Sequence, residues 1–305
     1  FGIGTILDYS VEGKENESDF EKTKDEIIQT ILFSANNSKI PFTVFKITGL
    51  GKSSLIEKAS LDFKSLDDNE LEELNLVTRR VDEICKASSE NRVPIFVDAE
   101  DSWYQDYIDD VVESMIFKYN NEFPIVYNTI QLYRHDRLRY MKDLISRCNS
   151  NEKNLGLKLV RGAYMEKERE QASKKNYPDP IQIDKQSTDY DFNKAVEFCV
   201  ENIKTVSFCV GTHNEKSILH LTNLMKKKAI KNNDSRICFA QLLGMSDHIS
   251  FNLSKEGYNV AKYVPYGPVK EVIPYLIRRA EENSSVSGQT SRELSLIKIE
   301  LESRN

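Results

Sequence analysis

The chain has 305 residues, a net charge of -6, 30% charged residues and five cysteines. That balance argues against a nucleic-acid binder that works by neutralising phosphates, and no apolar run approaches the roughly 20 residues of a membrane-spanning helix. The cysteines are odd in number without CxxC spacing, and the four histidines show no HExxH pairing, so neither a disulfide framework nor a metal site is expected and a reducing compartment fits best.

In chain order, short apolar or β-branched runs alternate with longer segments of helical spacing. The sequence starts at Phe1 and reads as a strand from Ile3 to Asp8, so an N-terminal segment, able to hold a targeting peptide, is expected to be missing. A helix is predicted over Asp19–Ala35, then a strand over Phe42–Thr48. Gly49-Leu50-Gly51-Lys52-Ser53 follows; it only superficially resembles a phosphate loop, because Lys46 stands where the leading glycine belongs. Then come helix Leu71–Ser88, strand Pro94–Asp98, helix Gln105–Tyr119, strand Pro124–Gln131, helix His135–Arg147 and strand Gly156–Arg161. Lys174–Thr188 reads as a long loop able to act as a lid. Helix Asp189–Ile203, strand Ser207–Thr212, helix Glu215–Lys227, strand Arg236–Gln241, helix Asp247–Glu256, strand Asn259–Val264 and helix Val269–Asn283 complete the series. Eight such units predict a (β/α)8 TIM-type barrel, α/β in class, with residues 1–305 as one domain.

Polar residues recur where these strands end: Glu12 beyond Asp8, then Lys46, Asp98, Gln131, Lys158 to Tyr164, Thr212 with His213, Gln241 and Tyr263. A closed barrel brings all eight carboxyl ends to one face, so these residues are expected to converge there. Lysine and aspartate inside short apolar strands are costly to bury without partners. Lys46 and Asp98 are therefore expected to pair, with each other or with an anion. Taken singly, each could equally be a structural ion pair, and His213 a capping or core histidine. Cys209 and Cys238 read as small core residues, Trp103 and Tyr104 as packing residues. Past the last strand, adjacent Arg278 and Arg279 would repel unless they grip an anion, and Tyr275 lies three and four residues before them as an aromatic wall. The plainer alternative is a solvated basic helix face.

The segments Lys158-Leu159-Val160-Arg161-Gly162-Ala163-Tyr164, Val97-Asp98-Ala99-Glu100, Lys46-Ile47-Thr48-Gly49-Leu50, Thr212-His213-Asn214, Tyr263-Val264-Pro265-Tyr266-Gly267 and Tyr275 to Asn283 resemble, over essentially the whole chain, the FAD-dependent proline dehydrogenases. Many bacterial members carry arginine where Lys158 stands and lysine where Arg161 stands. The exchanged form here looks more like the eukaryotic branch. Met165 stands where some members have tryptophan.

The resemblance implies a flavin site at the carboxyl ends of the strands and oxidation of L-proline to Δ1-pyrroline-5-carboxylate, with hydride passing from proline C5 to FAD N5. Electrons would then pass to a membrane quinone. Arg278, Arg279 and Lys46 would hold the carboxylate, Tyr263 and Tyr275 would pack on the ring, and Asp98 and Lys158 would act at the reacting end. Ala99, Gln131, Lys158, Val160, Arg161, Gly162, Ala163, Tyr164, Thr212, His213, Gln241 and Glu282 would contact the cofactor, and Glu12 would pair with an arginine to close the site. The KLVRGAY form implies a mitochondrial protein if eukaryotic; a bacterial one would be cytoplasmic with peripheral membrane association. The competing readings are another flavin barrel such as methylenetetrahydrofolate reductase and a non-catalytic barrel.

Overall fold

Eight parallel strands close into a ring in the computed structural model, which describes residues 1–9, 15–270, 272, 273, 276, 277, 298, 299 and 301–303. The strands are β1 (Gly4–Tyr9), β2 (Phe42–Phe45), β3 (Ile95–Val97), β4 (Val126–Gln131), β5 (Leu155–Val160), β6 (Val206–Gly211), β7 (Ile237–Leu242) and β8 (Val260–Tyr266). Each pairs with its sequence neighbours, and β1 meets β8 in the register Ile6 to Tyr263 and Asp8 to Pro265, so no edge is left open. The helices are α1 (Glu17–Ala35), α2 (Ser53–Asp62), α3 (Asp68–Asn91), α4 (Ser102–Tyr119), α5 (Arg137–Ser150), α6 (Met165–Lys175), α7 (Lys185–Glu201), α8 (Glu215–Lys227) and α9 (Asp247–Lys255).

Several boundaries differ from the sequence reading, each for a local reason. Strand β2 stops at Phe45 and does not run to Thr48, because Ile47–Gly49 forms a 3-10 turn. The Thr48 amide and hydroxyl bind the Glu100 carboxylate there instead of extending the ladder. Helices α2 and α6 were not expected. In α6 only Glu168 and Ala172 are buried, so it lacks the apolar stripe that marks a helix in sequence. It shortens the expected lid loop, whose remainder is tied to the turn after β4 by the Gln182 amide to Tyr133 carbonyl bond of 2.7 Å and the His135 amide to Pro180 carbonyl bond of 3.1 Å. The expected last helix, Val269–Asn283, falls largely outside the described residues.

Strand alternation divides the buried residues into two sets. Outward-facing side chains meet the helices in a core that includes Ile31, Val81, Ile108, Val112, Leu144, Phe192 and Leu221. Inward-facing ones fill the barrel: Ile6, Val44, Phe96, Tyr127, Cys209, Cys238, Ala261 and Tyr263. All five cysteines are buried free thiols; Cys209, Cys238 and Trp103 are buried as the packing reading expected, and Tyr104 is partly buried against the helix-side core. Phe42 stacks on Phe96 at 4.4 Å, and Tyr127 meets both rings edge-on, which plugs the barrel with aromatic carbon. Two residues beyond Phe96, Tyr127 and Gly156 the chain presents Asp98, just past β3, Thr129 on β4 and Lys158 on β5 to the cavity. The barrel thus changes from an apolar floor to a polar upper layer within one alternation step.

Gly156 on β5 makes that floor possible, since a Cβ there would lie 2.5 Å from the Tyr127 ring. Gly156→Ala is expected to lower stability by about 1 to 3 kcal/mol through overpacking. Urea unfolding measures it, and an unchanged midpoint would show that the ring yields freely.

Candidate active site

Above the aromatic floor lies a cavity of about 520 Å³ whose wall includes Asp8, Lys46, Asp98, Gln131, Lys158, Thr212 and Tyr263. Its centre is a network of three side chains from three strands. Lys158, only 6% exposed, forms an ion pair with Asp98, which follows β3. Tyr263 on β8 donates to Asp98 at 2.8 Å and receives a hydrogen bond of 3.1 Å from the Lys158 ammonium. The ammonium also lies 4.8 Å from the Tyr263 ring centroid and 5.5 Å from that of Phe96. A charge so enclosed needs both a counter-ion and polarisable neighbours, and the barrel interior supplies them.

Arg161 behaves differently. Just past the end of β5 it leans away from the Lys158 network and stacks over Phe192 of α7 at 4.2 Å. Its three nitrogens donate to Asp189 (2.7 Å), Thr212 (2.7 Å) and Ser217 (2.9 Å). Asp189 also receives Lys185, another wall residue, at 2.5 Å. Burial pushes the Asp189 carboxyl up, but Lys185 and Arg161 together outweigh it and hold the group below the usual carboxylate range. Arg161 therefore fastens β5 to α7 and α8.

Three comparisons bear on the identity of this barrel. The family profile described as "Proline dehydrogenase" matches residues 1–292. The chain belongs to the proline dehydrogenase family. Among relatives, "Proline dehydrogenase 1, mitochondrial" of Dictyostelium discoideum is 35% identical, covering 99% of this chain and 60% of that protein. The Homo sapiens protein of the same name is 38% identical over 76% of this chain and 40% of its own length. "Hydroxyproline dehydrogenase" of Xenopus laevis is 36% identical over 82% of this chain and 55% of its own length. The chain thus spans only part of the length of these relatives. A solved structure of proline utilization A from Bdellovibrio bacteriovorus superimposes with a TM-score of 0.82 at 20% identity, over 93% of this chain and 30% of that one, which shows the shared fold.

Within this proline dehydrogenase barrel, the structure brings Lys46, Asp98, Ala99, Gln131, Lys158, Val160, Arg161, Gly162, Ala163, Tyr164, Thr212, His213, Gln241 and Tyr263 to one cavity wall. Tyr275, Arg278, Arg279, Glu282 and Glu12 lie outside the described residues. One expectation is corrected: the ion pair of Asp98 is made with Lys158, not with Lys46, because Lys158 rises inside the barrel directly toward it. Asn214, not His213, caps α8, accepting from the Lys216 and Ser217 amides. His213 reaches Ser246 at 3.0 Å. Gln241 stands on the opposite face of β7 from Ala240 and Leu242, and its amide is bonded to the Thr212 carbonyl and to Ser250 of α9. Asp8, Thr129, Leu242 and Lys185 line the cavity without having been singled out as site residues. Counting in twos from Ile6 or Gln131 would have found the first two.

Asp98→Asn strips the counter-charge from buried Lys158 and is expected to cost about 3 to 5 kcal/mol, whereas Tyr263→Phe, which keeps the pair, should cost about 1 kcal/mol. Urea unfolding of the cofactor-free variants compares them. Equal losses would mean that the ion pair does not dominate the network.

Proposed function

We propose that the chain oxidises L-proline at the bond between nitrogen and C5, giving Δ1-pyrroline-5-carboxylate, with FAD as its cofactor. The observation that carries this reading is the buried Lys158–Asp98–Tyr263 network at the bottom of a cavity where the segments typical of the family converge. The residues present suit a flavin. Gln131 Oε1 is buried against the wall with no hydrogen-bond partner among the described residues, an acceptor waiting for an N–H donor. Gly162, Ala163, Gly211 and Ala240 keep part of the wall clear of side chains.

Bound FAD would supply the two-electron acceptor that amino-acid side chains lack. Gln131, Ala99, Val160 to Tyr164, Thr212, His213 and Gln241 would hold it, with Glu282 as a further contact. Arg161, locked by Asp189, Thr212 and Ser217, keeps the end of β5 in place for that purpose. Tyr263 offers an aromatic face to a small ring, and Asp98 fixes both its hydroxyl and the Lys158 ammonium. Lys46, with Arg278 and Arg279, would grip the substrate carboxylate through charge-assisted hydrogen bonds. Lys158 sets a positive charge inside the barrel that favours added electron density nearby. A membrane quinone as final acceptor fits the family, and a mitochondrial setting is supported by the names of the Dictyostelium and human relatives. Hydroxyproline is the second substrate to weigh, given the Xenopus relative.

The test is anaerobic addition of L-proline to the purified, FAD-loaded protein. Flavin absorbance should bleach with L-proline and not with NADH; the reverse result would point to a different flavin barrel. Arg278→Met or Arg279→Met should raise the KM for L-proline more than about tenfold with FAD content unchanged, since a carboxylate losing its guanidinium forfeits roughly 2 to 5 kcal/mol. Tyr263→Ser should narrow the preference for proline over hydroxyproline, because an unpaired hydroxyl against an aromatic wall costs on the order of 1 to 3 kcal/mol. Unchanged kcat/KM ratios would remove Tyr263 from the substrate pocket.

A further inference from the structure

Helix α6 begins at Met165, directly after the wall residues Gly162, Ala163 and Tyr164. Its sequence, MEKEREQASKK, has almost nothing apolar to bury, so packing alone cannot fix it. The one large side chain it does bury is Glu168, at 0% exposure. Both carboxylate oxygens of Glu168 are engaged by a single residue, accepting from the Ser102 amide at 2.7 Å and from the Ser102 hydroxyl at 2.5 Å. Ser102 is the first residue of α4, and Asp101, at the N-cap position, makes no side-chain cap. Glu168 therefore caps α4 from another helix, satisfying an amide that the helix itself leaves open.

The two tethered segments are two walls of one site. Only three residues separate Ser102 from Asp98, the carboxylate of the central network, and Glu168 lies four residues after Tyr164. A second bridge runs parallel, from Lys167 to Asp101 at 2.7 Å. Beneath α6, Tyr133 packs so tightly on Gly162 that a Cβ there would lie 2.4 Å from its ring. Glu168 is among the acids whose charge acts on both Tyr133 and Tyr177. The hydroxyl of Tyr133 and Nη1 of Arg134 are buried with no hydrogen-bond partner among the described residues, and the Tyr177 hydroxyl faces Ser102. Within this polar junction the Glu168–Ser102 pair supplies two direct bonds between α6 and α4. Burial pushes the Glu168 carboxyl up, and the two bonds from Ser102 work against that rise.

We propose that Glu168 is a positioning residue for the reaction: its carboxylate ties α6, and with it the Gly162–Tyr164 turn, to the start of α4 next to Asp98. The proposal rests on the flavin reading for its consequence, which is that loss of the tether loosens the turn that would hold the cofactor. Three readouts on the full chain test it, using Glu168→Ala and Glu168→Gln. Glutamine keeps an acceptor for the Ser102 amide and a donor for its hydroxyl.

In Glu168→Ala, FAD titration of the cofactor-free protein should show a dissociation constant raised by about tenfold or more. Amide exchange across residues 162–175, measured without FAD, should speed up relative to the rest of the barrel. Emission from the single tryptophan, Trp103, which adjoins Ser102 and lies 5.1 Å from the Lys167 ammonium, should shift to the red. Glu168→Gln should restore most of all three. Lower thermal stability with wild-type FAD affinity and exchange would reduce Glu168 to a structural role and overturn the proposal, as would a glutamine variant no better than alanine. Failure of the wild-type protein to bind FAD would instead sink the flavin reading, and exchange and Trp103 emission would still judge the tether.

Discussion

A lysine ammonium enclosed in a barrel is the constraint on which the site depends. Lys158 sits among Phe96, Tyr263 and the aromatic floor, where a lone charge would cost several kcal/mol. Asp98 must therefore stand within reach, and Tyr263 must present its hydroxyl to both. These three residues lie on or just after β5, β3 and β8, so the demands of one charge fix the relative placement of three strand ends. An ion pair of this kind adds little net stability over an apolar core, but breaking it is expensive. It gives the cavity a set geometry before any ligand arrives.

Carboxylates carry the same principle around the rim. Glu100 binds the Thr48 amide and hydroxyl, joining the loop after β3 to the loop after β2 that carries Lys46. Glu168 joins α6 to α4, and Asp189 joins α7 to Arg161 at the end of β5 while also pairing with Lys185 one turn before it on α7. Each acid bridges two segments beyond the strand ends, where the chain cannot use sheet hydrogen bonds to hold itself. Loops that carry function gain rigidity from a scaffold, and here part of that scaffold is electrostatic.

The reading of the sequence was strongest where periodicity is physical. Alternation along β-branched runs located all eight strands and placed Lys158 inside the barrel, while Arg161, just past the end of β5, turns the other way, toward α7 and α8. It failed where local pattern and tertiary demand part. Thr48 sits in an apolar run that looks like strand, yet its backbone is claimed by an acid 52 residues away. Helix α6 is built from good helix formers but has no apolar stripe, so the hydrophobic period misses it, and it docks through Glu168 and Ala172.

The sequence by itself determined the fold class, the order of its eight units, the family and most of the residues that reach the cavity, because period-two and helical patterns and spaced motifs are properties of the chain. Which charges pair was decided only by the closed barrel. Lys46 and Asp98 follow the neighbouring strands β2 and β3, but the ring directs Lys158, 60 residues further on, to Asp98, and turns Gln241 toward α9. Pairing depends on distance across the barrel, and that distance exists only once β1 has met β8.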